Sequence, residues 1–211
     1  MRRKMPQNVG YKRKSAIFAA MFSRIRMFLV WLRRIDKCQG FGVQSPSAYR
    51  FIRQVVNCHD PYPAYSILEE AQRLNPVARK LGRLFYRLSR EVGQATWHIS
   101  LQTPFLPYYI RCVEHGCDRS DVAPVPTGGP DIRRVLLADG SVESRADAER
   151  FMSSAREGDL LVMTGIHDSR ANRAEWLRRA ADGRCSVGFD LYYCGILFFD
   201  KRFKQTYIVN F

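Results

Sequence analysis

The stretch that decides the fold is GDLLVMTGIHDS, residues 158–169 of the 211-residue chain. Its apolar run Leu160–Met163 stops abruptly before a glycine, which is typical of a strand buried on both faces of a parallel sheet. Ser169 can cap a helix over residues 171–181, and Gly183 can end that helix. A buried strand followed directly by a helix predicts a doubly wound α/β sheet.

Two further apolar runs follow this helix, at residues 186–199 and 205–211. Both are rich in Val, Ile, Tyr and Phe, and the mostly charged residues 200–204 separate them. This arrangement predicts an antiparallel hairpin at the carboxyl end of the chain.

The chain upstream of this stretch supplies the other half of the sheet. Residues 134–138 predict a second buried strand, and a helix over 144–156 should cross from it to the next strand with right-handed geometry. A shorter strand is expected at 96–101. A helix at 105–115 and a Pro- and Gly-rich loop at 118–131 should follow it.

The chain divides into three parts. Residues 94–211 are expected to form the α/β domain, and residues 38–93 are predicted to be almost entirely helical. Residues 1–37 form a basic amphipathic segment, with eleven Lys and Arg against the single acid Asp36, so they carry +10 of the net charge of +14. Attraction to polyanions is therefore expected mainly from this segment.

The basic segment carries an apolar stripe at helical spacing from Ile17 to Leu32. The preferred interpretation is a helix, capped by Ser15, whose stripe packs on the rest of the protein. The alternative is contact with nucleic acid or with an anionic membrane surface through residues 1–37. No run of about 18 apolar residues and no clean secretory signal occurs. We therefore expect a cytoplasmic protein, with attachment to the periphery of a membrane as the alternative.

Six cysteines are scattered through the chain, which we expect to be intracellular. A free cysteine that is buried behaves as a small hydrophobic side chain. Cys112 and Cys117, with His115 between them, have the chemistry of zinc ligands. They lie on one predicted helix, however, and no second Cys/His pair stands at zinc-finger spacing. We therefore predict no zinc site.

Several sequence blocks resemble a family of small bacterial class I S-adenosylmethionine-dependent methyltransferases. The first is GFGVQSPSAY at residues 40–49, which is similar to the family's Gly-Val-His-Ser-Pro motif with an aromatic residue after the proline. Further similar blocks are YPAY at 62–65, KLGRLFYRL at 80–88, DG at 139–140, TGIHDSR at 164–170 with Trp176, FDLY at 189–192 and GILFF at 195–199. The resemblance covers most of residues 38–211. It implies a reduced Rossmann-like class I methyltransferase sheet and S-adenosylmethionine as cofactor.

The chain departs from this family where the methyl donor binds. Such enzymes carry an acid and a glycine-rich turn after the first strand, whereas residues 97–104 contain no glycine and offer His98 in place of the acid. The full fold has two further strands and two helices in the region of residues 101–133. Each parallel crossover needs about a dozen residues, so at least one unit should be missing, together with the acid that holds the donor's ribose.

Four residues remain candidates for a site at the carboxyl ends of the strands. If the chain is active, the resemblance implies that Ser100 and Gly140 contact S-adenosylmethionine. Asp139 and His167 would then be catalytic, with His167 as a general base. Metal-dependent relatives bind Mg²⁺ partly through an acid and an amide at the two positions that Thr164 and Gly165 hold here. Neither residue supplies a carboxylate, so no metal is expected.

The preferred functional prediction is a methyltransferase-like protein with a degenerate cofactor site and little or no activity. Such a protein would act as a binding or interaction protein and would need no cofactor. An active methyltransferase with a reduced site is one alternative. A protein that works through its basic segment, on nucleic acid or an anionic membrane, is the other.

Overall fold

A computed structural model gives the fold and describes residues 25, 28–40, 43–69, 74–124, 129 and 131–211. At its centre is a seven-stranded mixed sheet with the strand order β2-β1-β3-β4-β6-β5-β7. The strands are β1 (Ala95–Ser100), β2 (Asp121–Ala123), β3 (Arg133–Ala138), β4 (Leu160–Thr164), β5 (Val187–Asp190), β6 (Cys194–Phe198) and β7 (Gln205–Ile208). The α-helices are α1 (Pro46–Phe51), which continues as a π-helical turn (Ile52–Val56), α2 (Ala64–Glu69), α3 (Pro76–Val92), α4 (Leu106–Gly116), α5 (Val142–Ser153) and α6 (Arg170–Ala180).

The sheet is parallel except for one strand. The strands β2, β1, β3 and β4 pair in parallel, so that Val135 of β3 lies opposite Leu160 of β4. β6 is antiparallel to its neighbours β4 and β5, and β7 pairs in parallel with β5. The order of the strands reverses between β1 and β3. Doubly wound sheets bind their ligands at such a switch point.

Helices cover both faces of the sheet. The helices α1 to α4 pack on one face, where Trp97 of β1 is fully buried, and α5 and α6 pack on the other, where Trp176 is buried. Gly195 of β6 lies directly beneath the Trp176 ring, and a Cβ at that position would overlap the indole. The glycine therefore lets α6 lie close to the sheet.

The elements expected around residues 158–169 are confirmed. The strand is β4, and the helix runs over Arg170–Ala180 with the side chain of Ser169 accepting a hydrogen bond from its first turn. The strand expected at 134–138 is β3, and the crossover helix α5 begins two residues earlier than predicted. Buried apolar runs and side-chain caps are strong local signals, which explains why these boundaries could be predicted from the sequence.

The predicted pairing of residues 186–199 with residues 205–211 is wrong. The first run contains two strands, β5 and β6, which form the antiparallel hairpin themselves, while β7 lies at the outer edge beside β5. Tyr192 makes the turn between them at a φ of 71°, and its backbone N–H donates to Asp190 Oδ1 at 3.0 Å. Because the turn is as apolar and aromatic as the strands, composition does not reveal the break.

The region predicted as a loop at residues 118–131 contains a strand. Asp121–Ala123 forms β2, which pairs in parallel with β1 at the edge of the sheet. Three residues are too few to show a periodic pattern. Between β1 and β3 the described residues hold one helix and one strand. One of the two units that a full class I sheet has there is therefore without a counterpart among them.

The described part of the basic segment contradicts the packing interpretation. Residues 28–33 are helical and Ile35–Gly40 forms a 3-10 helix. Large apolar side chains here are about half exposed, namely Ile25, Phe28, Leu29, Trp31, Leu32 and Ile35. The predicted cap Ser15 and the first half of the predicted stripe, up to Phe22, lie outside the described residues. No helix in the described part of the chain is both long and apolar enough to cross a membrane.

Candidate functional site

The carboxyl ends of β1, β3 and β4 surround a cavity of about 450 Å³, which we call the sheet-edge cavity. Doubly wound sheets bind small molecules at this edge, and the volume lies within the usual range for such sites. Its lining includes the polar side chains of Asp139, Asp168 and Asn172, the backbone of Gly140, and the mainly apolar side chains of Val77, Leu81, Leu101 and Tyr109.

Asp139 lines this cavity, but its carboxylate is already occupied. Oδ2 accepts the backbone N–H of Gln102 at 2.6 Å, and Oδ1 accepts the backbone N–H of Ser141 at 2.8 Å. The first bond joins the loop after β3 to the loop after β1, across the switch point. The Asp139 carboxylate therefore links the two loops by hydrogen bonds.

The two residues predicted to contact the cofactor lie in different places. Ser100 ends β1, and its Oγ donates to Asp147 Oδ2 on α5 at 2.6 Å, so it does not line the sheet-edge cavity. Gly140 does line the cavity, and a Cβ there would lie 2.5 Å from the Asn172 amide. The lack of a side chain at Gly140 therefore makes room for Asn172.

His167 lies outside the sheet-edge cavity, in a cluster of charged side chains. Its Nε2 lies 3.3 Å from the Asp190 carboxylate oxygens, 3.3 Å from Arg34 Nη2 and 3.1 Å from Arg173 Nη1. Its ring stacks on Tyr192 with centroids 4.5 Å apart. Burial lowers the pKa of His167; Asp190 raises it, but the two arginines lower it again, so it lies below its ordinary value. The imidazole is therefore neutral at pH 7. A general base needs a free ring nitrogen beside the substrate, whereas Nε2 of His167 lies beside two guanidinium groups.

Asp190 is the centre of this cluster and escaped the sequence analysis. Its side chain is 1% exposed and forms ion pairs with Arg34 at 3.0 Å and Arg173 at 2.6 Å. Burial raises the pKa of Asp190, but the arginine charges and the N–H of Tyr192 outweigh it and hold the pKa below its usual range. The charged Asp190 therefore joins the basic segment, α6 and the end of β5.

Two polar residues of the sheet-edge cavity, Asp168 and Asn172, were also missed. A Cβ on Gly165 would lie 2.7 Å from Asp168 Oδ2, so the glycine allows this carboxylate to approach. Asn172 donates from Nδ2 to Gly165 O at 3.1 Å and accepts from Arg145 Nη2 at 2.9 Å. The N-cap at Ser169 is the signal that could have found them, because residues beside a helix N-cap face the carboxyl edge of a parallel sheet.

An acid and an amide thus follow β4, but they do not suit Mg²⁺. The amide oxygen of Asn172 accepts from a guanidinium, whose charge opposes a cation, and both oxygens of Asp139 accept backbone N–H groups. Burial also raises the pKa of Cys112 to about 12, so this thiol is not poised to be a metal-binding thiolate. No group of three or more His, Cys, Asp or Glu among the described residues could hold a metal ion.

The residues at this edge do not fit S-adenosylmethionine in the manner that the resemblance implies. The loop after β1 has no glycine, and Gln102 is held at both ends, by Asp139 at its backbone N–H and by Glu143 at its side chain, 2.9 Å away. No acid occurs between β2 and Asp131 in the sequence, so no carboxylate follows β2 directly to hold a ribose.

No protein-family model matches this sequence, and no curated protein matches it.

Proposed function

We propose that this chain is a degenerate relative of the class I S-adenosylmethionine-dependent methyltransferases that has kept the sheet and lost donor binding. The order of the strands supports the relationship. The class I sheet is doubly wound and parallel, except that its last strand lies antiparallel between the two that precede it. The strand β6 holds this position between β4 and β5. The order β2-β1-β3-β4 is that of a doubly wound sheet without one edge strand, and β7 is an additional strand that pairs with β5 at the opposite edge.

The observation that carries the loss of donor binding is the hydrogen bond between Asp139 and the backbone of Gln102. In the class I enzymes the backbone after the first strand must lie open to the donor. Here the backbone N–H of Gln102 in that loop donates to the Asp139 carboxylate of the neighbouring loop. This hydrogen bond is exposed to solvent and contributes about 1 kcal/mol. S-adenosylmethionine would have to displace it in a loop that lacks glycine. The scaffold then acts as a binding protein.

Calorimetric titration of the full chain with S-adenosylmethionine and with S-adenosylhomocysteine tests the proposal. We expect no heat of binding at millimolar concentration of either compound, from protein whose circular dichroism shows the folded state. A saturable heat at one ligand per chain would refute it. A class I methyltransferase titrated in the same buffer serves as the positive control.

A second function is favoured by the exposed apolar side chains of the basic segment: attachment to an anionic membrane surface. The segment is joined to the body by polar contacts. Arg34 Nη1 donates to Asp190 O at 3.1 Å, and Asn210 Nδ2 donates to Trp31 O at 3.2 Å. The apolar side chains Phe28, Leu29 and Leu32 meanwhile remain about half exposed. A helix that turns its polar edge to the protein and its apolar side chains to the solvent is typical of interfacial binding.

Four of the six half-exposed apolar side chains are aliphatic, which favours a bilayer over nucleic acid. Bases stack on aromatic rings such as Phe28 and Trp31, whereas Ile25, Leu29, Leu32 and Ile35 offer branched side chains that suit the acyl boundary. Sedimentation with anionic vesicles, compared with a salt-dependent gel shift on nucleic acid, separates the two. We expect vesicle binding that is lost when residues 1–37 are deleted. A chain that shifts nucleic acid but does not sediment with vesicles would refute membrane attachment.

A further inference from the structure

Two adjoining cavities, of about 810 and 320 Å³, lie on the helical side of the molecule and are separate from the sheet-edge cavity. They lie between the loop that follows the π-helical turn, the start of α3 and the last residues of the chain. We call them together the helical cleft. The residues common to both cavities are Asn57, Cys58, His59, Asp60, Lys80 and Phe211.

Lys80 projects into the cleft with no counter-ion among the described residues. Its ammonium lies 4.7 Å from the centre of the Phe211 ring and 6.0 Å from that of Tyr193. It forms no ion pair with any Asp or Glu of the described residues. Burial lowers the pKa of Lys80, and the charge of Arg87 lowers it further. A partly desolvated cation beside another cation is unfavourable until an anion joins it.

The surrounding side chains add positive charge. Arg87 is buried and donates to the carbonyls of Val55 and Val56 and to the hydroxyl of Tyr65, all neutral groups. Arg53 lines the larger cavity and forms no ion pair with a described residue. The hydrogen bonds of Arg87 have a structural purpose, because they satisfy carbonyls at the end of a helix. No hydrogen bond to a described residue holds Lys80 or Arg53 in this way, and Arg53 is exposed to solvent.

The other cations and the one acid do not cancel this excess. Arg79 and Arg83 line the smaller cavity, and both pair with the single carboxylate of Glu69, at 3.2 and 2.6 Å. Asp60 is the only acid among the residues that line the two described cavities. The helical cleft therefore offers a net positive charge to any ligand.

Aromatic rings complete the cleft. Trp31 and Tyr62 line the larger cavity together with Phe211. Flat rings beside a group of cations suit a ligand with its own ring and a negatively charged group, because bases stack on aromatic side chains.

We propose that the helical cleft binds an aromatic phosphate ester of mononucleotide size, with the phosphate at Lys80 and Arg53 and the ring against Trp31, Tyr62 and Phe211. This site and its ligand are independent of the sheet-edge cavity. Loss of donor binding at that cavity leaves the cleft intact.

Titration of the full chain with adenosine monophosphate, inorganic phosphate and adenosine tests this assignment. We expect adenosine monophosphate to bind most tightly, phosphate more weakly and adenosine least. Lys80→Met should weaken binding of the nucleotide at least about tenfold, because a charge-assisted contact is lost. Lys201→Met removes the same charge at an exposed residue outside the cleft and should bind as the parent does.

Protection of a cysteine from alkylation tests where the ligand binds without the use of a variant. Cys58 lines both cavities and is partly exposed, whereas Cys117 is partly exposed elsewhere. Adenosine monophosphate should slow alkylation of Cys58 severalfold and leave Cys117 unchanged, as measured by peptide mass spectrometry. The assignment is overturned if no probe binds at millimolar concentration, if adenosine binds as well as its phosphate, or if Lys80→Met binds like the parent protein.

Discussion

Removing exposed apolar side chains from the basic segment should detach the protein from anionic membranes. Phe28 is 58% exposed and Leu32 is 49% exposed, so each can still transfer about half of its side chain into a bilayer. Complete burial of a Phe or Leu side chain contributes about 1.5–3 kcal/mol, so the available part is about 1.5 kcal/mol for Phe28 and about 1 kcal/mol for Leu32. The variant Phe28→Ala/Leu32→Ala should therefore partition about 60-fold more weakly.

The assay is sedimentation of the full chain with vesicles that contain phosphatidylglycerol, and with vesicles of phosphatidylcholine alone. Wild-type protein should bind the anionic vesicles more strongly, and added salt should reduce this difference, because the basic segment supplies the long-range attraction. Circular dichroism should show both proteins equally folded, since neither changed side chain is buried.

Leu177→Ala is the matched control. Leu177 is 51% exposed on α6, so the change deletes about as much exposed apolar surface as Leu32→Ala does, on a helix outside the basic segment. It should leave partitioning unchanged. If Phe28→Ala/Leu32→Ala sediments like the wild type, or if Leu177→Ala loses as much binding, the exposed apolar side chains of the segment are not a membrane contact.

Three further predictions concern the body of the protein. Gly195→Ala should cost about 1–3 kcal/mol in urea unfolding, because the new methyl group overlaps Trp176, whereas Gly183→Ala, with nothing within 4 Å of the added carbon, should change little. Asp190→Asn should cost about 3 kcal/mol at pH 7, because two arginines lose a buried partner. The pKa of Asp190 is held below its usual range, so its contribution is present above about pH 4 and fades as the pH falls further. Stability measured against pH should therefore converge for variant and parent in acid; a constant difference would contradict the ion pairs. Asp139→Ala should cost about 1 kcal/mol in the same assay, because two backbone N–H groups lose their partner and water replaces it at the exposed Gln102. A neutral result would show that the link between the loops is unimportant.

The core strands and their helices were predictable because their signals are local. The run at Leu160–Met163 is apolar without interruption and stops at Thr164-Gly165, and the Ser169 hydroxyl accepts a hydrogen bond from the first turn of the next helix. β2 was missed because a strand of three residues has no period. The hairpin was misplaced because the turn at Tyr192 has the same composition as the strands on either side.

The candidate site was only partly predictable. Asp139 and Gly140 reach the sheet-edge cavity because residues that follow a parallel strand must lie at its carboxyl edge. Whether such a residue faces a ligand depends on its neighbours. The carboxylate of Asp139 is consumed by the backbone of Gln102, 37 residues away in the sequence, and His167 is held among arginines from two distant segments.

The sequence by itself determined that the chain builds a doubly wound α/β sheet, and it determined where most of the positive charge lies. Both follow from short-range periodicity and from composition. Only the tertiary structure decided that β6 lies between β4 and β5, that Asp139 joins the two loops at the switch point and that Lys80 stands in a cleft with no counter-ion among the described residues. Pairing between distant strands and the partners of a buried charge depend on which surfaces meet, and no local pattern records this.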